Sequence, residues 1–303
     1  MAKSFLEVTS ARRYAMFRPH YPEALLPKIL SYLTRHSPGL SAHSTAGSNS
    51  KQQLAVEDMK VVDVACGAGQ STFFLAKAGF KRIHGMDISQ AQINEATKAL
   101  GRCDNAIQRQ IDFQVNDAHS ALPFKENSID MVAVIQALHW FDHAALYKSI
   151  DKVLKPGGSF LALMYGHAEV LHEAAQIQFL ETYFGELGRY WPPEARHAAS
   201  LYYEMPVPYK PVERLWHILD FDTPVSNLAG LISSYSAYHK YSAQHPDTTI
   251  LDDMAYRMSI ALKSPAGTAT TPSATTTSGD AEASVRVRLP LSGFMCRKPL
   301  DHQ

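Results

Sequence analysis

Short apolar runs alternate with longer amphipathic stretches along the middle of the chain. The runs at residues 60–64, 82–86, 111–115, 129–135 and 159–164 have the length of buried strands, and the stretches at 71–78, 89–100 and 141–153 have the length of helices. Strands that alternate with helices pair in parallel through right-handed crossovers, so this pattern predicts an α/β fold with a mostly parallel sheet. Residues 285–291 alternate apolar and polar side chains and predict a late, half-exposed strand, which could pair with a strand near residues 214–222.

Two segments interrupt this pattern with small polar residues. Residues 36–53 have almost nothing to bury, and residues 264–284 show the same character more strongly. Segments of this composition cannot bury enough apolar surface to offset the entropy lost on ordering. We therefore predict two flexible insertions, and we expect neither to carry catalytic residues.

The first two predicted strands end beside residues suited to binding a nucleoside. The first leads into a turn with Gly67 and Gly69, and the second ends at Asp87, as in a βαβ nucleotide-binding unit. Thr72 stands where a dinucleotide fingerprint needs a third glycine, which weakens a nicotinamide interpretation. Asp63 would repel phosphate but could receive an amino group, directly or through water, and Asp87 could accept both ribose hydroxyls. An adenosine that carries an amino acid fits both carboxylates, and S-adenosylmethionine has that structure.

Residues 63–69, Asp-Val-Ala-Cys-Gly-Ala-Gly, resemble the first motif of the Rossmann-like (class I) S-adenosylmethionine-dependent methyltransferases. The family more often has glycine at the position of Ala65. The resemblance implies a seven-stranded, mostly parallel sheet in the order 3-2-1-4-5-7-6, with helices on both faces and strand 7 antiparallel. It also places Asp117 and Ala118 where the family binds the adenine amino group, although Asn and Asp after a strand are often only turn formers.

Polar side chains follow the fourth predicted strand, which is itself almost entirely apolar. A strand buried on both faces has little use for Gln136, His139 and Trp140 except beside a ligand. We predict that Gln136 and His139 line the cofactor or substrate cavity. Trp140 could hold the substrate, or it could pack with Phe141 beneath the next helix.

Two flanking segments, residues 14–22 and 235–241, resemble signatures of the trans-aconitate-type small-molecule methyltransferases, as do residues 136–141. Relatives use the N-terminal segment as a lid over the sulfonium, which implies contacts from Tyr14 and Arg18. The fork of Arg18 suits a carboxylate of the substrate or of the cofactor, and the alternative is a surface arginine that orders the turn at Pro19. The predicted cofactor-binding residues are Tyr14, Asp63, Ala65, Gly67, Gly69, Asp87, Ile88, Asp117, Ala118 and Gln136.

The expected arrangement is a single methyltransferase domain over residues 1–303. It would begin with the N-terminal lid at 1–35 and the flexible insertion at 36–53, followed by a cofactor-binding core at 54–166. Residues 167–245, rich in Tyr, Trp and Pro, would form a substrate cap with the sixth strand. The low-complexity insertion at 264–284 and a last strand at 285–298 would complete it.

Composition narrows the class of partner. Lys and Arg together number 29, as do Asp and Glu, so the chain lacks the basic excess expected of a nucleic-acid binder. The three cysteines are widely spaced, and the fourteen histidines follow no metal-site pattern, so we predict no metal and reduced thiols. No stretch reads as a signal peptide or membrane helix, and we expect a cytoplasmic monomer or homodimer.

The predicted cofactor carries its own leaving group, so the protein has mainly to align the reactants and exclude water. No strong base is needed if the acceptor is a carboxylate, which is ionised at neutral pH. An amine acceptor would have to lose a proton, with His139 as base or orienter. Trp140, Tyr235 and Tyr238 could hold the substrate or the sulfonium. Two alternatives from other classes are a nicotinamide-dependent oxidoreductase and a catalytically silent binding protein.

Overall fold

The computed structural model describes residues 8–35, 56–263 and 283–300. The predicted insertions at 36–53 and 264–284 therefore lie outside the described residues, except for the last two positions of the second. The described strands are β1 (Lys60–Val64), β2 (Arg82–Asp87), β3 (Ile111–Val115), β4 (Ile129–Ile135), β5 (Leu154–Tyr165), β6 (Glu169–Val170), β7 (Val212–Pro224) and β8 (Ser284–Arg297). The α-helices are α1 (Val8–Phe17), α2 (Leu26–Arg35), α3 (Gln70–Ala76), α4 (Gln90–Leu100), α5 (Asn105–Gln108), α6 (His143–Val153), α7 (Glu173–Leu180), α8 (Arg196–Ala199), α9 (Val225–Ser233), α10 (Ser236–Gln244) and α11 (Ile250–Ala261).

All eight described strands belong to one mixed sheet. The order is β3-β2-β1-β4-β5-β8, and β7 pairs with the other edge of β8. Strands β1 to β5 are parallel, whereas β8 runs antiparallel to both β5 and β7. Since β7 and β8 take the places of the sixth and seventh strands, the predicted order with an antiparallel seventh strand is confirmed. The two-residue strand β6 adds a short pair with β8.

Alternate side chains of the central strands enter two separate cores, one on each face of the sheet. Val61 and Met131 belong to one hydrophobic cluster, and their neighbours Val62 and Val132 belong to the other. All four are fully buried. Burial on both faces explains why these strands appear in the sequence as continuous apolar runs.

At β5 the observed strand boundary differs from the predicted one, and β8 extends beyond the alternating run at residues 285–291. Strand β5 begins at Leu154, directly after helix α6, rather than at residue 159. Gly157 adopts a φ of 76° in this irregular start, where the register with β4 shifts. Strand β8 continues to Arg297 because residues 291–296 lie between β5 and β7 and are all buried.

Helix α1 is docked onto the part of the molecule formed by α9 and α10. The Phe17 ring packs on Gly230 of α9, where a Cβ would lie 2.4 Å from that ring. The Ser10 hydroxyl is hydrogen-bonded to His239 of α10 at 2.9 Å. These contacts fix the position of Tyr14, which lies within α1, and of Arg18, which directly follows it.

Candidate active site

The carboxyl ends of β1, β2, β4 and β5 open into one cavity, where parallel sheets bind ligands at the point of strand-order reversal. The space between its walls, counted together with the open mouth, is about 920 Å³. Nine of the residues predicted to form the site line this cavity: Tyr14, Arg18, Ala65, Gly67, Asp87, Gln136, His139, Trp140 and Tyr235. The fold thus brings together residues as distant in the sequence as Tyr14 and Tyr235.

The turn after β1 has the backbone conformation that its glycines predict. Ala65, Gly67 and Gly69 have φ values of 57°, 56° and 91°, all in the left-handed region. A Cβ on Gly67 would lie 3.4 Å from the Tyr14 ring, so this position brings the backbone close to the N-terminal helix. Gly69 precedes α3, where a Cβ would meet Phe113 at 2.9 Å.

Asp87 ties this turn to the start of helix α4. Its Oδ2 accepts the Gly67 N–H at 3.0 Å, and its Oδ1 accepts the Ser89 N–H at 2.8 Å. Burial raises the pKa of Asp87, although these two backbone hydrogen bonds lower it in part. Because each carboxylate oxygen accepts one bond, both keep acceptor capacity towards the cavity that Asp87 lines.

Asp63 lies behind the turn and is fully buried rather than exposed to the cavity. Its Oδ2 accepts the hydroxyls of Ser71 at 2.6 Å and Thr72 at 2.7 Å. Its Oδ1 is buried and has no hydrogen-bond partner among the described residues. Burial raises the pKa of Asp63 to about 6, against the lowering effect of the two hydroxyls. Asp63 therefore has one buried acceptor atom that its protein neighbours do not satisfy.

Arg18 is a buried cation held by neutral groups. It is 9% exposed, and its Nε and Nη2 donate to the Ser234 hydroxyl and carbonyl at 2.8 and 3.2 Å, while Nη1 donates to the Tyr165 hydroxyl at 2.8 Å. Its Cζ lies 4.3 Å from the centre of the Tyr235 ring and 4.8 Å from that of Tyr14. Within the described ranges, no carboxylate forms an ion pair with this guanidinium. The alternative of a surface arginine is therefore wrong.

His139 reaches the cavity from the one-turn helix Leu138–Trp140 that follows β4. Its Nδ1 is hydrogen-bonded to the Tyr202 hydroxyl at 3.0 Å, and its ring lies 4.7 Å from that of Trp140. Burial lowers the pKa of His139 to about 3, with smaller contributions from nearby positive groups. The imidazole is consequently neutral over the physiological range.

Two predicted residues after β4 have clear packing roles. Gln136 lines the cavity, but its Oε1 accepts the Tyr165 N–H at 2.9 Å and its Nε2 donates to the Tyr165 carbonyl at 3.3 Å. Gln136 therefore ties the ends of β4 and β5 together. Phe141 is buried and packs against His119, whereas Trp140 lines the cavity.

The other predicted site residues lie outside the cavity lining. Asp117 is exposed, and its Oδ1 accepts the His119 N–H at 2.9 Å in a turn. Tyr238 lies beneath Arg13, whose Cζ is 5.8 Å from the Tyr ring centre. The remaining residues that do not line the cavity are Asp63, Gly69, Ile88 and Ala118.

Sequence reasoning missed much of the aromatic wall of the cavity. Tyr165 ends β5, and His167, Tyr183 and Trp191 come from the segment after it. His167 is hydrogen-bonded to the Tyr183 hydroxyl at 2.7 Å, and burial lowers its pKa. The position of Tyr165 at the end of a buried strand could have identified it, by the logic that identified Gln136. Tyr183 lies in a π-helical turn, Glu181–Glu186, that directly continues α7, and Trp191 lies in the chain just after the one-turn helix Gly188–Tyr190.

Within the residues that the structure describes, no group of three or more His, Cys, Asp or Glu side chains could hold a metal ion. Over the same ranges, no helix is long and apolar enough to cross a membrane.

The chain is similar to known proteins in sequence and in fold. Residues 62–162 match the family described as "Methyltransferase domain". A Dictyostelium discoideum protein described as a methyltransferase is 26% identical over 230 residues, which are 75% of each chain. Sterol 24-C-methyltransferase erg-4 of Neurospora crassa is 32% identical over 161 residues, and the match covers 49% of this chain and 41% of that enzyme. A solved structure from Anaeromyxobacter dehalogenans, described as a type II methyltransferase, aligns with a TM-score of 0.63 and 25% identity over 94% of this chain and 99% of that one.

The sheet order, the glycine turn and these matches agree on the class of enzyme. The protein is an S-adenosylmethionine-dependent methyltransferase with the class I fold. S-adenosylmethionine is its cofactor, and the nicotinamide alternative is set aside.

Proposed function

We propose that this methyltransferase transfers the methyl group to a carboxylate oxygen of a small molecule. The observation that carries the proposal is the buried guanidinium of Arg18, which lines the cavity and has no carboxylate partner among the described residues. A buried charge without a counter-charge costs several kcal/mol, on the order of the desolvation penalty of one ion. A ligand carboxylate would supply the compensating charge, whereas an ammonium would add a second positive charge beside the first.

The hydrogen bonds of Arg18 leave a suitable binding geometry. Three of its five N–H groups donate to Ser234 and Tyr165, which leaves one N–H on each of Nη1 and Nη2. Adjacent N–H groups of this kind bind a carboxylate bidentately. One fork binds one carboxylate, so Arg18 holds either the acceptor or the methionine carboxylate of the cofactor, and we favour the acceptor.

Three features of the site fit S-adenosylmethionine. Asp87 keeps acceptor capacity for the ribose hydroxyls, Asp63 has a buried unsatisfied oxygen for the amino group, directly or through water, and Gly67 keeps open a space beside Tyr14 that a Cβ would fill. We propose that these four residues hold the cofactor. The other proposed contacts are Ala65, Gly69, Ile88, Asp117, Ala118 and Gln136. When bound, the cofactor supplies an activated methyl group with a neutral thioether as its leaving group.

The chain's own residues would orient the acceptor and exclude water rather than remove a proton. His139, with its pKa lowered to about 3, is a weak base for an ammonium group. We therefore assign His139 to orienting the acceptor, and Trp140 and Tyr235 to holding its apolar part. Tyr238 would act indirectly, because it contacts Arg13 of the N-terminal helix.

The proposal extends to the branch of methyltransferases to which the enzyme belongs and to the roles of its N-terminal and central segments. We propose a trans-aconitate-type methyltransferase, since Tyr14 and Arg18 of one flanking signature meet Tyr235 of the other at the cavity. Residues 1–35 would act as the lid and residues 167–245 as the substrate cap. We further propose a cytoplasmic monomer or homodimer that acts on small molecules and not on nucleic acids.

The substitution Arg18→Lys tests the role of the guanidinium. It keeps the charge and removes the fork, so kcat/KM for acid acceptors should fall about tenfold or more while the cofactor Kd changes less than about threefold. Arg12→Lys is the matched control, because Arg12 lies on helix α1 just before Arg18, is exposed and does not line the cavity, so it should change neither constant. Acceptors are found with a panel of small acids and amines and labelled cofactor.

Two results would contradict the proposal. If Arg18→Lys weakens cofactor binding more than it lowers turnover of the acid acceptor, Arg18 binds the methionine carboxylate of the cofactor. An amine as the best acceptor, with a rate that depends on the protonation of His139, would replace O-methylation by N-methylation.

A further inference from the structure

Tyr202 lies outside the cavity lining and contacts His139, one of the residues of the proposed active site. Its side chain is fully buried, and its hydroxyl lies 3.0 Å from Nδ1 of His139. Nε2 of the same imidazole has no hydrogen-bond partner among the described residues, and His139 lines the cavity. We propose that Tyr202 is a positioning residue that fixes the tautomer of His139, so that Nε2–H donates a hydrogen bond to the acceptor carboxylate. The identity of the acceptor rests on the proposed function, whereas the tautomer does not.

The direction of the hydrogen bond follows from the burial of the Tyr202 hydroxyl. This hydroxyl is fully buried, and Nδ1 of His139 is its hydrogen-bond partner among the described residues. Nδ1–H would leave the buried O–H proton without an acceptor in these residues, whereas an unprotonated Nδ1 accepts it. Burial also raises the pKa of Tyr202. Tyr202 therefore keeps its single proton and can give it to Nδ1 of a neutral His139. A neutral imidazole that accepts at Nδ1 carries its own proton on Nε2.

The backbone around Tyr202 is held in an unfavourable conformation. Leu201 and Tyr202 have φ values of 50° and 62°, in the left-handed region that costs a non-glycine residue about 1–2 kcal/mol. Arg214 secures this segment, because Nη1 donates to the Tyr202 carbonyl at 3.0 Å and Nη2 to the Tyr203 carbonyl at 3.3 Å. Strain of this kind persists where the surroundings enforce it and concentrates at functional sites.

The inferred tautomer gives the cavity a second donor besides Arg18. The Arg18 guanidinium and the Nε2–H of His139 both donate hydrogen bonds into the cavity, and His139 then offers no lone pair there. This set of donors suits a substrate oxygen that carries negative charge. The opposite tautomer would offer Nε2 as a lone pair, which suits a substrate N–H instead. Tyr202 would thus contribute to the choice between an acid and an amine without touching either.

The tautomer can be measured directly on the wild-type protein without substrate. Two-bond ¹H–¹⁵N spectra of imidazole-labelled protein at pH 7 distinguish protonated Nε2 from protonated Nδ1, and the His139 signals are those lost in His139→Gln. We expect Nε2–H in the wild type. Nδ1–H in the wild type would overturn the inference, whatever the acceptor proves to be.

Kinetics provides the second test. Tyr202→Phe keeps the ring in its buried slot and should lower kcat for acid acceptors about five- to tenfold, with the cofactor Kd unchanged. In the His139→Gln variant, the amide N–H takes the place of Nε2–H, and the side chain has no Nδ1 for Tyr202 to hold. In that background, Tyr202→Phe should lower kcat by less than about twofold. Equal losses in both backgrounds would assign Tyr202 a purely structural role and overturn the inference. Tyr203→Phe, at an exposed neighbour, is the matched control.

Discussion

Replacing Asp63 by asparagine should stabilise the protein while weakening its hold on the cofactor. The Asp63 side chain is fully buried, and its Oδ1 has no partner among the described residues. Asparagine has nearly the same shape as aspartate, and its carbonyl oxygen can still accept hydrogen bonds from the hydroxyls of Ser71 and Thr72. The substitution therefore removes a desolvated negative charge and keeps the hydrogen bonds of the folded chain.

The size of the effect follows from the shifted pKa. The pKa of Asp63 rises from 3.8 to about 6, which is roughly 2 units, and each unit is about 1.4 kcal/mol. The ionised carboxylate therefore destabilises the folded state by up to about 3 kcal/mol. The new amide N–H group at the position of Oδ1 is itself unsatisfied and costs about 1–2 kcal/mol. A net gain of about 1–2 kcal/mol should remain.

The gain should depend on pH in a defined direction. As pH rises from about 4 to above 6, the unfolded chain loses the Asp63 proton first, so the folded state binds more protons and wild-type stability falls through that window. The asparagine variant lacks this slope. Its advantage over wild type should be near its smallest at pH 4 and reach its full value above pH 6.

Urea unfolding at pH 4.5 and 7.5 measures this difference, with Asp58→Asn at an exposed carboxylate as the control. Calorimetry on the same variant should show cofactor affinity reduced about tenfold, because the amino group loses its counter-charge. If the Asp63→Asn variant were less stable than wild type at pH 7.5, that result would refute the argument from burial. The same would follow if its free energy of unfolding differed from that of wild type by the same amount at both pH values. An unchanged cofactor Kd would remove Asp63 from the proposed site.

Two further substitutions test the turn and the N-terminal helix. Asp87→Asn should weaken cofactor binding about tenfold and lower the Tm by a few degrees, because the carboxylate also holds the Gly67 and Ser89 amides; an unchanged Kd by calorimetry would contradict its proposed role. Gly230→Ala places a Cβ 2.4 Å from the Phe17 ring and should loosen helix α1, so the cofactor KM should rise several-fold and cleavage near residue 18 should accelerate in limited proteolysis. Phe17→Leu should restore both values in the double variant, and no response in either measurement would show that the helix is held by other contacts.

The predictable part of the fold is the part that short-range pattern encodes. Burial on both faces makes β1 and β4 continuous apolar runs, and the turn after β1 has positive φ at two glycines, Gly67 and Gly69, that mark it in the sequence. The sheet order came from the resemblance of residues 63–69, because strand order depends on pairings between distant segments that periodicity does not report.

The site was less predictable because its wall is assembled across the chain. Tyr183 reaches the cavity from the π-helical turn after α7 and Trp191 from the chain that follows it, and no spacing in the sequence marks them. Tyr202 contacts His139 from 63 positions away in a conformation that its residue type disfavours. Gln136 lines the cavity, but its amide also holds the backbone of Tyr165, and its position at a strand end does not reveal that second contact.

The position of β8 has a consequence for how the chain folds during synthesis. This last described strand in chain order is an interior strand of the sheet, with β5 on one side and β7 on the other. Until it emerges from the ribosome, the edges of β5 and β7 remain unpaired, and the hydrophobic slot for Phe294 and Met295 stays open. A stop codon before residue 284 would therefore leave a nascent chain that exposes two long strand edges. Such a product should be recognised by chaperones or aggregate, even though every proposed catalytic residue has already been translated.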